Sequence, residues 1–360
     1  MPRHPRVAAS VESMPGSVYS ALAHRLASHP GETYPLHVGD TWMEPAEGCR
    51  MGDLSVTDYP GMHRYATPQG LPRLLHLAAA RLAERSGAPC TAEQILVTTG
   101  ATGALGAIAG AIVEDGDEVL LAAPYWPLIS GIVRSFHGIP VAVPLIGEVD
   151  SAAAAVELFE SRRSDRTIAI YLNTPNNPTG DLLPADWLEA LAEWATRHGM
   201  WILADEVYED YVYAGEHTYL RSLAPERTFS VHSFSKAYGM AGNRCGYLAG
   251  PIEVMGELRK VSTHSFYSAP TAAQLAGIRA LEGVADHWLA DAVARYRELG
   301  RAAAARLGVT PPGGSTFLFL DVAEQLDERG LEGFLEDCVD KGLFLAPGPS
   351  FGPYPTHVRL

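Results

Sequence analysis

From Ile95 to Gly250 the chain alternates short apolar runs with helical stretches of about 10–15 residues, and this rhythm constrains the fold more than any other feature. ILVTTG reads as a strand, GATGALGAIAGAIV as a helix opening on glycine, and DGDEVLLAAP as a turn and strand. A helix to about Phe136, a strand at IPVAVP and an alanine-rich helix near 151–162 follow. TIAIYLNTP, a helix over 184–198 and MWILADEV continue the series. Strands joined through helices argue for βαβ units and a mostly parallel sheet covered on both faces. RTFSVHSF and CGYLAG extend that sheet.

The flanks differ. Leu71 to Arg85 has helical periodicity, and residues 1–30 carry a short helical pattern (Val18, Leu22, Leu26). After Pro251 come long helices at 251–262, 270–281 and about 284–306, then STFLFLDV, LEGFLEDCV and GLFLAP as strand, helix and strand. At 360 residues the chain suits one large domain and a smaller one. The expected division is an N-terminal segment, 1–45, joining the small domain; a large domain, 46–283; and a small α+β C-terminal domain, 284–360. The last residues, HVRL, stop in a strand-like run, so the small domain reads as truncated.

The net charge of −15 argues against nucleic acid or an anionic membrane as the main partner. The four cysteines (Cys49, Cys90, Cys245, Cys338) show no C-x-x-C pair or metal-type spacing, which argues against a disulfide framework or a structural zinc site and fits a reducing cytoplasm. The first ten residues lack the apolar segment of a signal peptide, and the run around Ala104 to Val113 is too short to span a bilayer.

The chain holds three lysines among 27 basic residues. Lys260 lies in a charged helical stretch and Lys341 before a turn glycine, so both read as solvated. Lys236, in SVHSFSKAYGMAGNRCGYLAG, has small or apolar neighbours and an arginine, Arg244, eight residues on. Partial desolvation lowers an amine's pKa and frees it to attack a carbonyl, so Lys236 is the candidate for a Schiff base. An exposed lysine in a loop after a strand is the plain alternative.

Four other stretches bear on that choice. Thr99-Gly100-Ala101-Thr102-Gly103 joins a strand to a helix, giving either a tight turn or a phosphate site at a helix N-terminus. Trp126, after a strand, is a core residue or a stacking platform for a flat ring. The turn-rich NTPNNPTG, 173–180, offers Asn177 as an amide donor. Asp205 ends an apolar strand, where a carboxylate needs a cationic partner, and Tyr208 is three residues on. A cap or a structural salt bridge would also explain Asp205.

In their order and spacing, NNPTG, DE-x-Y and S-x-S-K with its later arginine resemble the class I/II aminotransferases, pyridoxal-phosphate enzymes of fold type I. The resemblance runs from about Leu36 to the last residue. It implies an α/β fold with a seven-stranded, mostly parallel sheet sandwiched by helices. It also implies pyridoxal 5'-phosphate as cofactor, held by Lys236 as an internal aldimine, with Asp205 keeping the pyridine nitrogen protonated. Tyr208 and Asn177 would hydrogen-bond the ring hydroxyl. Gly100, Ala101, Thr102, Ser233, Ser235 and Arg244 would cradle the phosphate, with Trp126 stacked on the ring. Tyr65 matches a tyrosine that reaches the neighbouring subunit's phosphate, which implies a homodimer. Arg359 matches the arginine that clamps the substrate α-carboxylate, and Gly39 a backbone contact at the same end.

The expected reaction moves the amino group of an α-amino acid to a 2-oxo acid. A lyase or cyclase on the same scaffold is the alternative, since it would use the same lysine. Thr102 stands where some aspartate-specific members have a lysine, which counts against a dicarboxylic substrate. Asp40 and Trp42 depart from a common Gly-x-Pro pattern, and His264 or Tyr267 lies where the family reads the substrate side chain.

Overall fold

The computed structural model describes residues 7–12, 14, 22–26 and 28–360. Val18, part of the expected N-terminal helical pattern, lies outside them; two four-residue helices, Ala9–Glu12 and Ala23–Leu26, stand in this region.

Among the described residues, twelve strands fall into three sheets. The strand β1 (Tyr34–Pro35) precedes the large sheet, which comprises β2 (Ile95–Thr98), β3 (Glu118–Ala123), β4 (Ile139–Pro144), β5 (Thr167–Asn173), β6 (Trp201–Asp205), β7 (Thr228–Ser233) and β8 (Gly246–Ala249). Its order is β2-β8-β7-β6-β5-β3-β4. Only β8 runs against the others, so the sheet is the mostly parallel one expected. Because β8 is antiparallel to both neighbours, β2 and β7 point the same way. The C-terminal ends of β2, β3, β5, β6 and β7 therefore share one edge, the usual place for a ligand in such a sheet.

Alternation along each strand builds two apolar layers. Leu96, Leu121, Tyr171, Leu203 and Val231 face the helices Gly100–Ile112, Leu128–Ser135 and Met255–Ser265. Ile170, Leu172, Ile202 and Ala204 face Ala152–Arg162 and Ala185–Arg197. Ile95, Val97 and Tyr247 meet Pro72–Ser86 and Thr271–Arg279. Those helices match the periodic stretches to within a residue or two at most ends. Among the described residues no helix is long and apolar enough to cross a membrane.

The remaining strands are β9 (Phe319–Asp321), β10 (Leu343–Phe344), β11 (Ala346–Pro347) and β12 (His357–Arg359). GLFLAP, expected as one strand, is divided between two sheets. Leu343 and Phe344 pair in parallel with Tyr34 and Pro35, whereas Ala346 and Pro347 pair with Arg359 and Val358. Leu345, buried between them, packs with Val322, Leu335 and Val358. STFLFLDV is likewise shorter as a strand, because only Phe319–Asp321 lies opposite β12. The segment after β1 thus starts beside the C-terminal strands and leads into the cavity at the sheet edge.

Candidate active site

The sheet edge opens into a cavity of about 140 Å³. Five strand ends bring residues to it. The turn after β2 supplies Ala101 and Thr102, and the segment after β3 supplies Trp126. β5 supplies Asn173 and the following turn Asn177; β6 and its turn supply Asp205, Val207 and Tyr208. β7 and the short helix Phe234–Ala237 deliver Ser233, Ser235 and Lys236, and Arg244 enters from the turn before β8.

Lys236 is largely enclosed, and its ammonium donates to the backbone carbonyl of Gly39. Burial pushes its pKa down to about 8, helped by Arg359 and Arg244 and opposed by Asp40. Lys260, in contrast, is solvated and paired with Glu257 at 2.8 Å.

Asp205 is 3% exposed. Burial raises its carboxyl to about 6, against a hydrogen bond from Tyr171 that works downward. Tyr171 Oη donates to Oδ2 at 2.6 Å, whereas Oδ1 has no hydrogen-bond partner among the described residues. A buried acceptor without a donor is costly unless a ligand supplies one.

At the other end of the cavity, the helix Gly100–Ile112 begins without a side-chain cap, leaving its first amides free. Gly100 has φ 75°, and a Cβ there would lie 2.9 Å from Arg244 Nη2. Arg244 itself adopts φ 54° and donates to the carbonyls of Ala241 at 2.8 Å and Thr99 at 3.3 Å. Two left-handed residues thus bring a guanidinium against a helix start, beside the hydroxyls of Thr102, Ser233 and Ser235. That arrangement is an anion cradle.

Arg359, fully buried on β12, reaches Asn177 in the cavity wall from the C-terminal strands. Its Nη1 donates to Asn177 Oδ1 at 2.9 Å and its Nη2 to the His37 carbonyl at 2.5 Å. Phe317 and Phe351 lie 4.3 Å and 4.9 Å from its guanidinium carbon. Phe317 also packs edge-on to Tyr208 and abuts Gly39, where a side chain would collide with its ring.

Tyr65 is not brought to this cavity. It is 86% exposed, its ring 5.1 Å from Tyr267 in a separate shallow groove. His264 is exposed as well. Three residues that sequence reasoning passed over do join the site. Asn173 donates to the Asp205 carbonyl at 2.8 Å and accepts from the Asn177 amide at 2.7 Å. Tyr171 holds Asp205, and Phe317 packs against Arg359. Tyr171 had one signal in the sequence: it is the only aromatic residue in TIAIYLNTP, at the alternate position to Asn173.

Residues 46–360 match the family Aminotransferase class I and II. A probable aspartate/prephenate aminotransferase of Thermus aquaticus is 34% identical over 307 residues, covering 83% of this chain and 79% of the relative. An arginine–pyruvate transaminase of Pseudomonas aeruginosa is 32% identical, covering 83% and 78%. Among solved structures, the aspartate aminotransferase of Thermus thermophilus with maleate superposes with a TM-score of 0.89 at 30% identity, over 99% of this chain and 95% of that one. The chain belongs to the class I and II aminotransferases, with the type I fold. It is a pyridoxal-phosphate-dependent transaminase. The residues present fit that cofactor: an enclosed amine, a lone buried carboxylate oxygen suited to a pyridinium N–H, and an anion cradle line one cavity.

Proposed function

We propose that Lys236 carries the cofactor and moves the substrate proton in transamination between an α-amino acid and a 2-oxo acid. The observation behind this reading is that a pKa-depressed lysine and a buried carboxylate oxygen lacking a protein donor line the same cavity. When bound, pyridoxal phosphate supplies a cationic ring that accepts the electron pair left as the substrate Cα proton departs. Asp205 Oδ1 would accept the hydrogen of the ring nitrogen and keep the positive charge there. Lys236 Nζ, neutral in appreciable fraction near pH 8, would take the Cα proton and pass it to the carbon that ends up bearing the amino group.

Arg359 clamps the substrate α-carboxylate, with Asn177 and the His37 carbonyl fixing its plane and the two phenylalanine rings excluding water. Gly39 admits the same end of the substrate. Gly100, Ala101, Thr102, Ser233, Ser235 and Arg244 would hold the phosphate, Trp126 would cover the ring, and Tyr208 and Asn177 would bind its hydroxyl. Relatives named for aspartate/prephenate and for arginine–pyruvate point to a side-chain preference read outside this shared set. Thr102, an uncharged residue in the cavity wall, counts against a distal carboxylate.

The working form in this reading is a cytoplasmic homodimer. The exposed Tyr65 and Tyr267 support it, being suited to cover by a second copy whose phosphate Tyr65 reaches. The four free cysteines support a reducing compartment.

The test is a visible-absorption titration of cofactor-loaded protein with a panel of amino acids, beside Lys236→Ala. Loss of the cofactor's visible band with a donor, and its return with a 2-oxo acid, is expected of wild type and not of the variant. Release of ammonia with no recovery would point to elimination, and turnover by Lys236→Ala would overturn the role of the lysine.

A further inference from the structure

Asp205, in the cavity wall, has one buried oxygen, Oδ1, without a hydrogen-bond partner among the described residues, and the partner of the other lies one strand away. β5 and β6 pair in parallel, Tyr171 opposite Leu203 and Asn173 opposite Asp205. The pleat puts Tyr171, Asn173, Leu203 and Asp205 on one face. Tyr171 is therefore two residues short of Asp205 along the strands, a distance its ring spans to place Oη 2.6 Å from Oδ2. Tyr171 is fully buried among Leu121, Leu203, Val231 and similar residues. In that layer a phenylalanine would pack as well as a tyrosine, so packing alone does not account for the hydroxyl.

We propose that Tyr171 is a positioning residue for amino transfer: its hydroxyl pins Asp205 Oδ2, leaving Oδ1 alone to meet the ring nitrogen of the cofactor. This rests on the reading of Asp205 given above. The groups around that carboxylate are the Tyr171 hydroxyl, the Val207 amide, Glu206 and His232. Tyr171 and the Val207 amide favour the ionised form by hydrogen bonding and His232 by its charge, against burial and Glu206. Tyr171 is itself held well above its ordinary pKa by burial and by Asp205, so it is a permanent donor. Without its hydroxyl, Asp205 would take up a proton more readily and be free to rotate. Either change weakens its hold on a protonated ring nitrogen.

The experiment compares wild type, Tyr171→Phe, Tyr171→Met and Asp205→Asn, each as full-length protein loaded with cofactor labelled at the ring nitrogen with 15N. The nitrogen signal of both Tyr171 variants should move toward the deprotonated position, part of the way reached by Asp205→Asn. Their kcat should fall by about tenfold to a hundredfold, as for a hydrogen bond to a charged group, with KM for the amino donor within about twofold. Apo-protein thermal unfolding reports any loss of packing separately, and Tyr171→Met, which also lacks the hydroxyl, serves if the phenylalanine variant fails to fold. Wild-type nitrogen shift and kcat in either folded Tyr171 variant, with Asp205→Asn shifted, would overturn the role of Tyr171 alone. An unshifted Asp205→Asn would overturn the underlying reading of Asp205.

Discussion

Asp205 is buried on a strand end where its charge is unfavourable until a ligand arrives. With its pKa raised from the ordinary 3.8 to about 6, the folded protein binds this proton more tightly than the unfolded chain does. Its contribution to stability is therefore fully present below pH 3.8 and lost as the pH rises to about 6. The loss amounts to about 3 kcal/mol. Cofactor-free Asp205→Asn, which keeps an acceptor for Tyr171, escapes it. Urea unfolding should find that variant more stable than wild type by about that amount at pH 7.5, and close to it at pH 4. A wild type as stable as the variant at both pH values would show that the carboxylate is not penalised. Lys236 and Asp205 were legible in the sequence because each is out of place, one a scarce lysine among small residues and the other a carboxylate closing an apolar run. Tyr171 and Phe317 were not. Their roles depend on contacts between segments more than 30 residues apart; the local pattern marked Tyr171 only as a lone aromatic in its strand and gave no sign of its partner.

At the scale of elements, the helix Gly100–Ile112 depends on how it starts. Gly100 takes a left-handed φ directly beside Arg244, so a methyl group there meets both backbone strain and the guanidinium. Gly100→Ala should lower stability by about 1–2 kcal/mol and weaken cofactor binding more than the unfolding change alone would. Thermal unfolding of the apo protein and a cofactor titration separate the two effects. Unchanged cofactor affinity would remove the helix start from the phosphate site. The strands of the large sheet were legible as apolar runs between helical stretches. The order of those strands was not, nor was the reversal of β8, because lateral pairing leaves no mark on a strand's own composition. GLFLAP shows the same limit: a single apolar run serves two sheets, and only its partners, Tyr34–Pro35 and His357–Arg359, reveal the division.

At the scale of the whole molecule, residues far apart in sequence meet around one cavity: Lys236, after β7, donates to the Gly39 carbonyl before the large sheet, and Arg359 on β12 donates to Asn177 in the cavity wall. In the proposed dimer the cavity also takes Tyr65 from the second copy. Mixing subunits carrying Lys236→Ala with subunits carrying Tyr65→Ala would then restore one intact site per hybrid dimer. Random reassociation should return roughly a quarter of wild-type activity from two poorly active parents. No gain on mixing would place Tyr65 outside the partner's site.

The central claim is that Lys236 carries the cofactor. Borohydride reduction of the loaded protein, followed by peptide mass mapping, tests it most directly. Cofactor mass fixed on the peptide containing Lys236 is the predicted result. Label on Lys260 or Lys341 instead, or on none of the three lysines, would contradict it.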